Sequence, residues 1–498
     1  MNDKTPAVIC LSMALLFSTA GAQPHDIQYD PSAQRTTAIQ YFRPAEENYF
    51  AGDPMPFYLN GVFHVYWLLD YNHGRTEYGG HDWAHSSTTD LINWTHHPVA
   101  LPITYDFEKS ICTGSVFYHN GKYYAFYATR TDIDNDHVRE EHISVAQSDD
   151  GITFTKLEPN KLLTPPPGFA RSEFRDPHVF WDKDTQLFYM LVTTAVTEYD
   201  FPQNQTCLVY YTSKDLRNWQ FKGPFYVPGY AKGYPFPECA DCFEWNGYYY
   251  LLFKTHGGTY YRISRKLLGP WTAPLEDNIG SDYALVFKTA SFKRNRRIAV
   301  GMVPSRKDNL DDGAWQYAGN MVFRELLQNA DGSLRAVFPP EMLPKCGPEV
   351  KLVLDNPNPS KLVQTPTGLE IKSTQGFAAA HYSNIPVNAY ITFDVEPVTE
   401  YTSLGCFLRD SANGNYDLSF TAKANKVQLG NNSIEAVPRL DKPFSVEIVM
   451  TGDIIDVCIA KKRCLLNRCP QQKGDNITFY CHNGTVRFHN LKVRPILD

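Results

Sequence analysis

Hydrophobic positions in this chain recur in a two-part rhythm. Runs rich in aromatic and branched residues return about every 50 to 65 residues: Gly61–Leu69, Gly121–Thr129, Gln186–Ala195, Gly247–His256 and Arg296–Pro304. After each run comes a second strand-like segment ending in a polar turn and a late aromatic. Thr88-Thr89-Asp90-Leu91-Ile92-Asn93-Trp94, Ser148-Asp149-Asp150-Gly151-Ile152-Thr153-Phe154 and Ser213-Lys214-Asp215-Leu216-Arg217-Asn218-Trp219 are three copies of it. The fourth copy, Ile263–Trp271, and the fifth, Phe323–Phe338, are more degenerate. Five units of four short antiparallel strands predict an all-β fold, a five-bladed β-propeller over residues 23–340. A β-sandwich also spaces its strands evenly, but it does not explain one turn recurring at blade period.

Beyond Pro339-Pro340-Glu341 the rhythm changes to plain alternation of apolar and polar positions. Leu369–Lys372, Ala389–Val395, Ser445–Met450, Ile454–Ile459 and Val486–Val493 carry it. This predicts a C-terminal β-sandwich over residues 348–498, with no catalytic constellation of its own.

Composition narrows the picture. Aromatic residues make up 14% of the 498 residues, which favours strands. A formal net charge of −7 leaves no basic face, so nucleic acid is excluded as an expected partner. Residues 1–22 read as a signal peptide. Lys4 precedes the apolar core Ala7–Thr19, and Ala20-Gly21-Ala22 is a cleavage site. That core is too short to span a bilayer, so no membrane insertion is expected. The mature chain is read as exported, periplasmic or extracellular. Its ten remaining cysteines permit disulfides there, with Cys458, Cys464, Cys469 and Cys481 able to form one or two. Cys239-Ala240-Asp241-Cys242 lacks the second half of a zinc site, and no metal or organic cofactor is expected.

Candidate chemistry lies in three acids. Asp53, Asp176 and Glu238 each precede an aromatic-rich run, at what reads as the same point of three units. Inner strands of propeller blades line the axis, so these carboxylates are expected to converge on it. One Asp-Pro alone is usually a turn. Three acids at matching offsets instead suggest glycoside hydrolysis, in which one carboxyl group attacks or activates water and another protonates the leaving oxygen.

These residues resemble glycoside hydrolase family 32, the invertase and fructan-hydrolase family. Arg175-Asp176-Pro177 resembles its R-D-P motif, and Glu238-Cys239-Ala240-Asp241-Cys242-Phe243 resembles E-C-P-D-x-F. Trp83-Ala84-His85 through Trp94 is similar to W-G-H-x-x-S-x-D-L-x-x-W, and Thr113-Gly114-Ser115-Val116 to the S-G-S segment. Trp315 through Gly319 with Arg324-Glu325-Leu326 resembles W-x-G…P-R-E-L.

The resemblance implies a propeller followed by a sandwich and an oligo- or polysaccharide substrate of sucrose, inulin or levan type. It also implies a retaining reaction, with Asp53 as nucleophile, Glu238 as acid/base and Asp176 as stabiliser. Retention sets the Asp53 and Glu238 carboxyl groups about 5–5.5 Å apart. Glu238 must hold a proton, while Arg175 is expected to keep Asp176 ionised. Trp83 and His85 are expected as sugar-facing walls or as blade core, with Ser115, Asp70 and Trp315 as further substrate contacts.

The chain departs from the family at two positions. Gly52 stands where the family has the Asn before its Asp-Pro, and Leu68 where it has a Gln. Both changes remove amide contacts to a fructosyl unit, each worth about 1 kcal/mol. Asp70, His73 and Arg75 are the candidates to rebuild the pocket. Two alternatives therefore stand beside fructoside hydrolysis: a furanosidase for another sugar such as arabinofuranose, and a weakly active carbohydrate-binding propeller.

Overall fold

A computed structural model describes residues 29–34, 40–74, 80–133, 138–197, 206–228, 236–255, 257–281, 283–355, 361–365 and 367–497. The expected signal peptide and Arg75 lie outside them. Among the described residues, no helix is long and apolar enough to cross a membrane.

The chain is almost entirely β. The first blade holds β1 (Tyr49–Leu59), β2 (Val62–Tyr71), β3 (His81–Thr88) and β4 (Thr95–Leu101). The second holds β5 (Ser110–His119), β6 (Lys122–Ile133), β7 (Val138–Ser148) and β8 (Thr155–Lys156). The third holds β9 (Phe169–Asp182), β10 (Leu187–Val196), β11 (Thr206–Ser213) and β12 (Gln220–Tyr226). In the fourth, β13 (Glu238–Trp245), β14 (Tyr248–Thr255) and β15 (Gly258–Ser264) are extended by an Ile263–Thr272 bridge. The fifth holds β16 (Leu285–Phe292), β17 (Arg296–Arg306), β18 (Trp315–Gln328) and β19 (Leu334–Val337). The ring closes where β1 pairs with β18 at Ala51 and Gly319.

Local sequence explains the repeat. The inner hairpins of the first, second and fourth blades turn on Asn60-Gly61, Asn120-Gly121 and Asn246-Gly247. Both residues of each turn have positive φ, between 48° and 88°, which the paired turn requires and Asn-Gly tolerates. The recurring polar turn is a hydrogen-bonded cap. Ser213 Oγ accepts the Leu216 N–H at 3.0 Å, and Asp215 Oδ1 accepts those of Arg217 and Asn218 at 3.0 and 2.8 Å. Leu216 adopts φ 62°, and the Trp219 indole donates back to its carbonyl at 3.1 Å. Thr88 with Asp90, and Ser148 with Asp150, build the same cap.

The C-terminal region is one 12-stranded antiparallel system around a single apolar core that includes Ile371, Phe393, Leu418, Ile448, Phe479 and Phe488. Its long last strand, Asn476–Pro495, joins the layers: the first half pairs with Ser403–Ser411 and the second with Ala389–Pro397. Two arginines fasten this region to the fifth blade. Arg324 donates to Asp456 at 2.7 Å, with Tyr41 on the other carboxylate oxygen at 2.8 Å. Arg468 donates to the carbonyls of Val303 and Pro304 and to Asn320.

Candidate active site

All five inner strands break register at one level. Two residues face one across the hairpin at Gly52-Asp53 against Leu68, Cys112-Thr113 against Ala128, and Asp176-Pro177 against Val192. Cys239-Ala240 against Phe253 and Val286-Phe287 against Gly301 complete the ring. Each is a β-bulge, which bends its strand and re-aims the side chains beside it. Asp176, Cys239 and Val286 take φ values of 58°, 53° and 54° there. The ring of bulges thus turns side chains from every blade into one axial cavity of roughly 410 Å³.

Asp53, Asp176, Glu238 and Arg175 line this cavity together. The three acids are not equivalent, contrary to the matching offsets read from sequence. Glu238 stands just before its bulge, Asp176 is the first bulged residue and Asp53 the second. Staggered positions let three carboxylates share a cavity from different directions.

Asp53 is held at both oxygens. The Tyr317 hydroxyl donates to Oδ1 at 3.0 Å, and Thr113 donates to Oδ2 at 2.5 Å. Cys239 lies between two acids: its thiol contacts Asp53 Oδ2 and Asp176 Oδ2, each at 3.5 Å, and its N–H donates to Asp176 at 2.9 Å. Burial, reinforced by the neighbouring Asp176, Asp53 and Glu238 charges, pushes the Cys239 thiol well up, so it stays a neutral donor. Glu238 is clamped by two cations. Arg175 reaches Oε1 at 2.7 and 3.2 Å, and Lys254 reaches Oε2 at 2.6 Å.

The protonation order differs from expectation. Burial alone would raise Glu238, but Arg175 and Lys254 outweigh it and hold the carboxyl below its usual range. Burial lifts Asp176 to about 6, and the opposing charge of Arg175 does not cancel it. Arg175 therefore does not hold Asp176 at low pKa; its guanidinium is engaged by Glu238, Glu141 and Glu173. With these neighbours Asp176 takes a proton before Glu238 does.

Five candidate substrate contacts lie outside the cavity lining, and for Trp83 and His85 this is the blade-core position that stood beside the sugar-facing one. Trp83 is fully buried in the blade core and donates to the Cys112 carbonyl at 3.0 Å. His85 is equally buried, stacked between Tyr66 and His97 and 3.0 Å from His64. Both belong to β3, the third strand out from the axis. Ser115 lies past the bulge of β5 and latches two blades, donating to the Pro177 carbonyl and accepting the Val179 N–H. Asp70 is buried behind the cavity wall, 3.0 Å from His81, and lifts that imidazole to about 9 despite its burial. Trp315 stacks on Tyr283 with ring centroids 3.9 Å apart and lies beneath the Arg306 guanidinium.

Tyr317, two residues beyond Trp315, enters the cavity instead. Tyr317 and Ala318 stand unpaired where β18 slips against β17, and Ala318 takes φ 61°. His73, Thr113, His81, Arg130 and Lys254 join it in the lining, with Leu68, Leu285, Val286 and Met302 as an apolar wall. Below the bulges, Lys288 closes the axis, donating to the carbonyls of Gly114 and Ala240 at 3.0 Å each. Among the described residues, no three His, Cys, Asp or Glu side chains are grouped to hold a metal ion.

Carboxyl groups converging on one cavity are the groups that glycoside hydrolysis requires. Residues 43–331 match the glycosyl hydrolases family 32 N-terminal domain, and the chain belongs to that family. It is 28% identical to the sucrose-6-phosphate hydrolase of Escherichia coli, over 56% of this chain and 59% of that one. It is 23% identical to the levanbiose-producing levanase of Bacillus subtilis, over 97% and 96% of the two chains. The matched regions span 59% and 40% of the two sucrose-6-phosphate hydrolases from Escherichia coli and Bacillus subtilis. The fold is shared with fructan 1-exohydrolase IIa from Cichorium intybus, with a TM-score of 0.70 at 17% identity over 94% and 98% of the chains. It is shared too with sucrose-6-phosphate hydrolase from Lactobacillus gasseri, with a TM-score of 0.69 at 17% identity over 95% and 98%.

Proposed function

We propose that this protein is an exported, periplasmic or extracellular retaining glycoside hydrolase that releases terminal β-fructofuranosyl units from sucrose or fructans. The observation that carries the reading is the convergence of Asp53, Asp176 and Glu238 in one axial cavity. Relatives named for sucrose 6-phosphate, levan and raffinose support the fructosyl class. The N-terminal apolar segment and its small-residue cleavage site support export.

In the first step a carboxylate oxygen of Asp53 attacks the anomeric carbon while Glu238 passes its proton to the departing oxygen. In the second, Glu238 takes a proton from water, the water oxygen bonds to the same carbon, and Asp53 leaves. Thr113 and Tyr317 fix the attacking carboxylate in one orientation. Asp176, rigid between the Cys239 N–H and thiol, is placed to accept hydrogen bonds from sugar hydroxyls. Because two cations hold Glu238 ionised, its acid form is reached on the acidic side of neutrality, and the optimum lies there.

A second reading is a furanosidase for another sugar, such as arabinofuranose. Gly52 and the apolar Leu68 in the cavity favour it, because both withhold the amides expected of a fructosyl pocket. Sugar release from sucrose, inulin, levan and arabinan, by the mature protein and by Glu238→Gln, tests the two. Fructose lost in the variant supports the first reading, and arabinose lost in the variant supports the second. Release unchanged by the variant removes both.

A further inference from the structure

Gly52, beside Asp53 at the bulge of β1, leaves a space that a residue of the adjoining strand β18 fills. A Cβ built on Gly52 would lie 2.7 Å from the Tyr317 hydroxyl, 3.0 Å from Leu68 Cβ and 3.1 Å from the Leu68 carbonyl oxygen. Into that space the Tyr317 hydroxyl reaches Asp53 Oδ1, and it also accepts the Asp53 N–H at 3.3 Å. Tyr317 is anchored independently of this contact. The Ala51–Gly319 pairing fixes its strand, His73 Nδ1 donates to its carbonyl at 2.8 Å, and its ring lies 5.2 Å from that of His81.

We propose that Tyr317 is a positioning and specificity-determining residue, made possible by Gly52. Its hydroxyl locks the Asp53 carboxylate for attack, and the same hydroxyl takes the place of any side chain at position 52. The glycone then meets a phenol already committed to Asp53 and a wall of Leu68, Leu285, Val286 and Met302. That surface suits a furanosyl unit turning a C–H face toward it. The inference rests on the reading of Asp53 as nucleophile. The raised pKa of the Tyr317 phenol, from burial first and the Asp53 charge second, keeps the hydroxyl a donor at any working pH.

The test is a cycle of wild type, Tyr317→Phe, Gly52→Ala and the double variant. Urea unfolding is measured together with kcat and KM on whichever furanoside the wild type cleaves. Gly52→Ala is expected to raise the unfolding constant about 10-fold in the wild-type background, but less than about 3-fold when Tyr317→Phe is already in place. Tyr317→Phe is expected to lower kcat about 10-fold with KM within about 2-fold, because only the hydroxyl is lost. Equal cost of Gly52→Ala in both backgrounds overturns the contact. Unchanged kcat in Tyr317→Phe, or a loss confined to KM, overturns the positioning role. If the wild type cleaves no furanoside, the reading of the site fails and the positioning role falls with it, whatever the unfolding cycle gives.

Discussion

Glu238 and Lys254 are directly paired across β13 and β14, and the lysine ammonium donates to Glu238 Oε2 at 2.6 Å. Arg175 occupies the other oxygen, so the acid/base candidate carries one cation on each. Lys254→Met removes one of them, and Glu238 then binds its proton more tightly. The basic limb of kcat/KM is expected to move to higher pH, while the plateau value below it changes little. A limb that stays in place dissociates Lys254 from the titration.

The three carboxylates are expected to fail differently. Glu238→Gln should lower kcat/KM about 10²- to 10⁴-fold on natural sugars, yet keep most of its kcat/KM on fructosyl fluoride, whose leaving group needs no proton, with kcat lowered because release has lost its base. Asp53→Asn should lose both activities, and Asp176→Asn should lower both by similar factors. Initial rates on the two substrate types separate these outcomes. A Glu238→Gln variant equally inactive on the fluoride contradicts the acid role.

Arg324, in the Arg324-Glu325-Leu326 segment, acts on stability. It is buried against Asp456 of the sandwich, and Tyr41 completes that carboxylate. Arg324→Met leaves Asp456 a buried charge without its ion partner, at a cost of about 3–5 kcal/mol. Tyr41→Phe removes one hydrogen bond and should cost about 1 kcal/mol. Chemical unfolding measures both. Similar small losses from the two variants would mean that the ion pair does not join the domains.

Histidines of opposite sign shape the pH range of the fold. Burial, with the nearby His97, holds His64 and His96 near 4 and His85 well below its usual value. Their unfolded pKa is about 6.5, so their contribution is present above that pH and is lost as pH falls toward 4. His81 is the reverse: paired with Asp70 and lifted to about 9, it contributes fully below 6.5 and loses that contribution as pH rises through 9. Unfolding free energy should therefore decline on both sides. His64→Gln should flatten the acid side, and His81→Gln the alkaline side. Unaltered slopes would count against the assignment.

The propeller was legible because its signals are local. Aromatic runs such as Val62–Leu69 become second strands, and Asn-Gly pairs and Ser/Thr-x-Asp caps specify their own turns. The bulge ring was not legible. No residue type is common to its five residue pairs, since a bulge is defined by the partner strand rather than by its own composition. That is why Asp53, Asp176 and Glu238 could be found together while their stagger could not. Motif membership also says that a residue recurs, not where it points. Trp83 and His85 pack into blade interfaces, and Trp315 yields its expected place to Tyr317, which a slip of β18 turns inward. A signal for Tyr317 existed in Gly52, whose missing side chain implies that something else fills the space. Lys254 carried no motif, and only the cross-strand register brings it to Glu238.

The most direct measurement is the intact mass of Glu238→Gln after brief incubation with fructosyl fluoride. This donor loads the nucleophile without acid help, while the missing base slows release. The expected product is an adduct of one fructosyl residue that maps to the peptide carrying Asp53 and is absent from Glu238→Gln/Asp53→Asn. No adduct, or one on Asp176, would contradict Asp53 as the nucleophile.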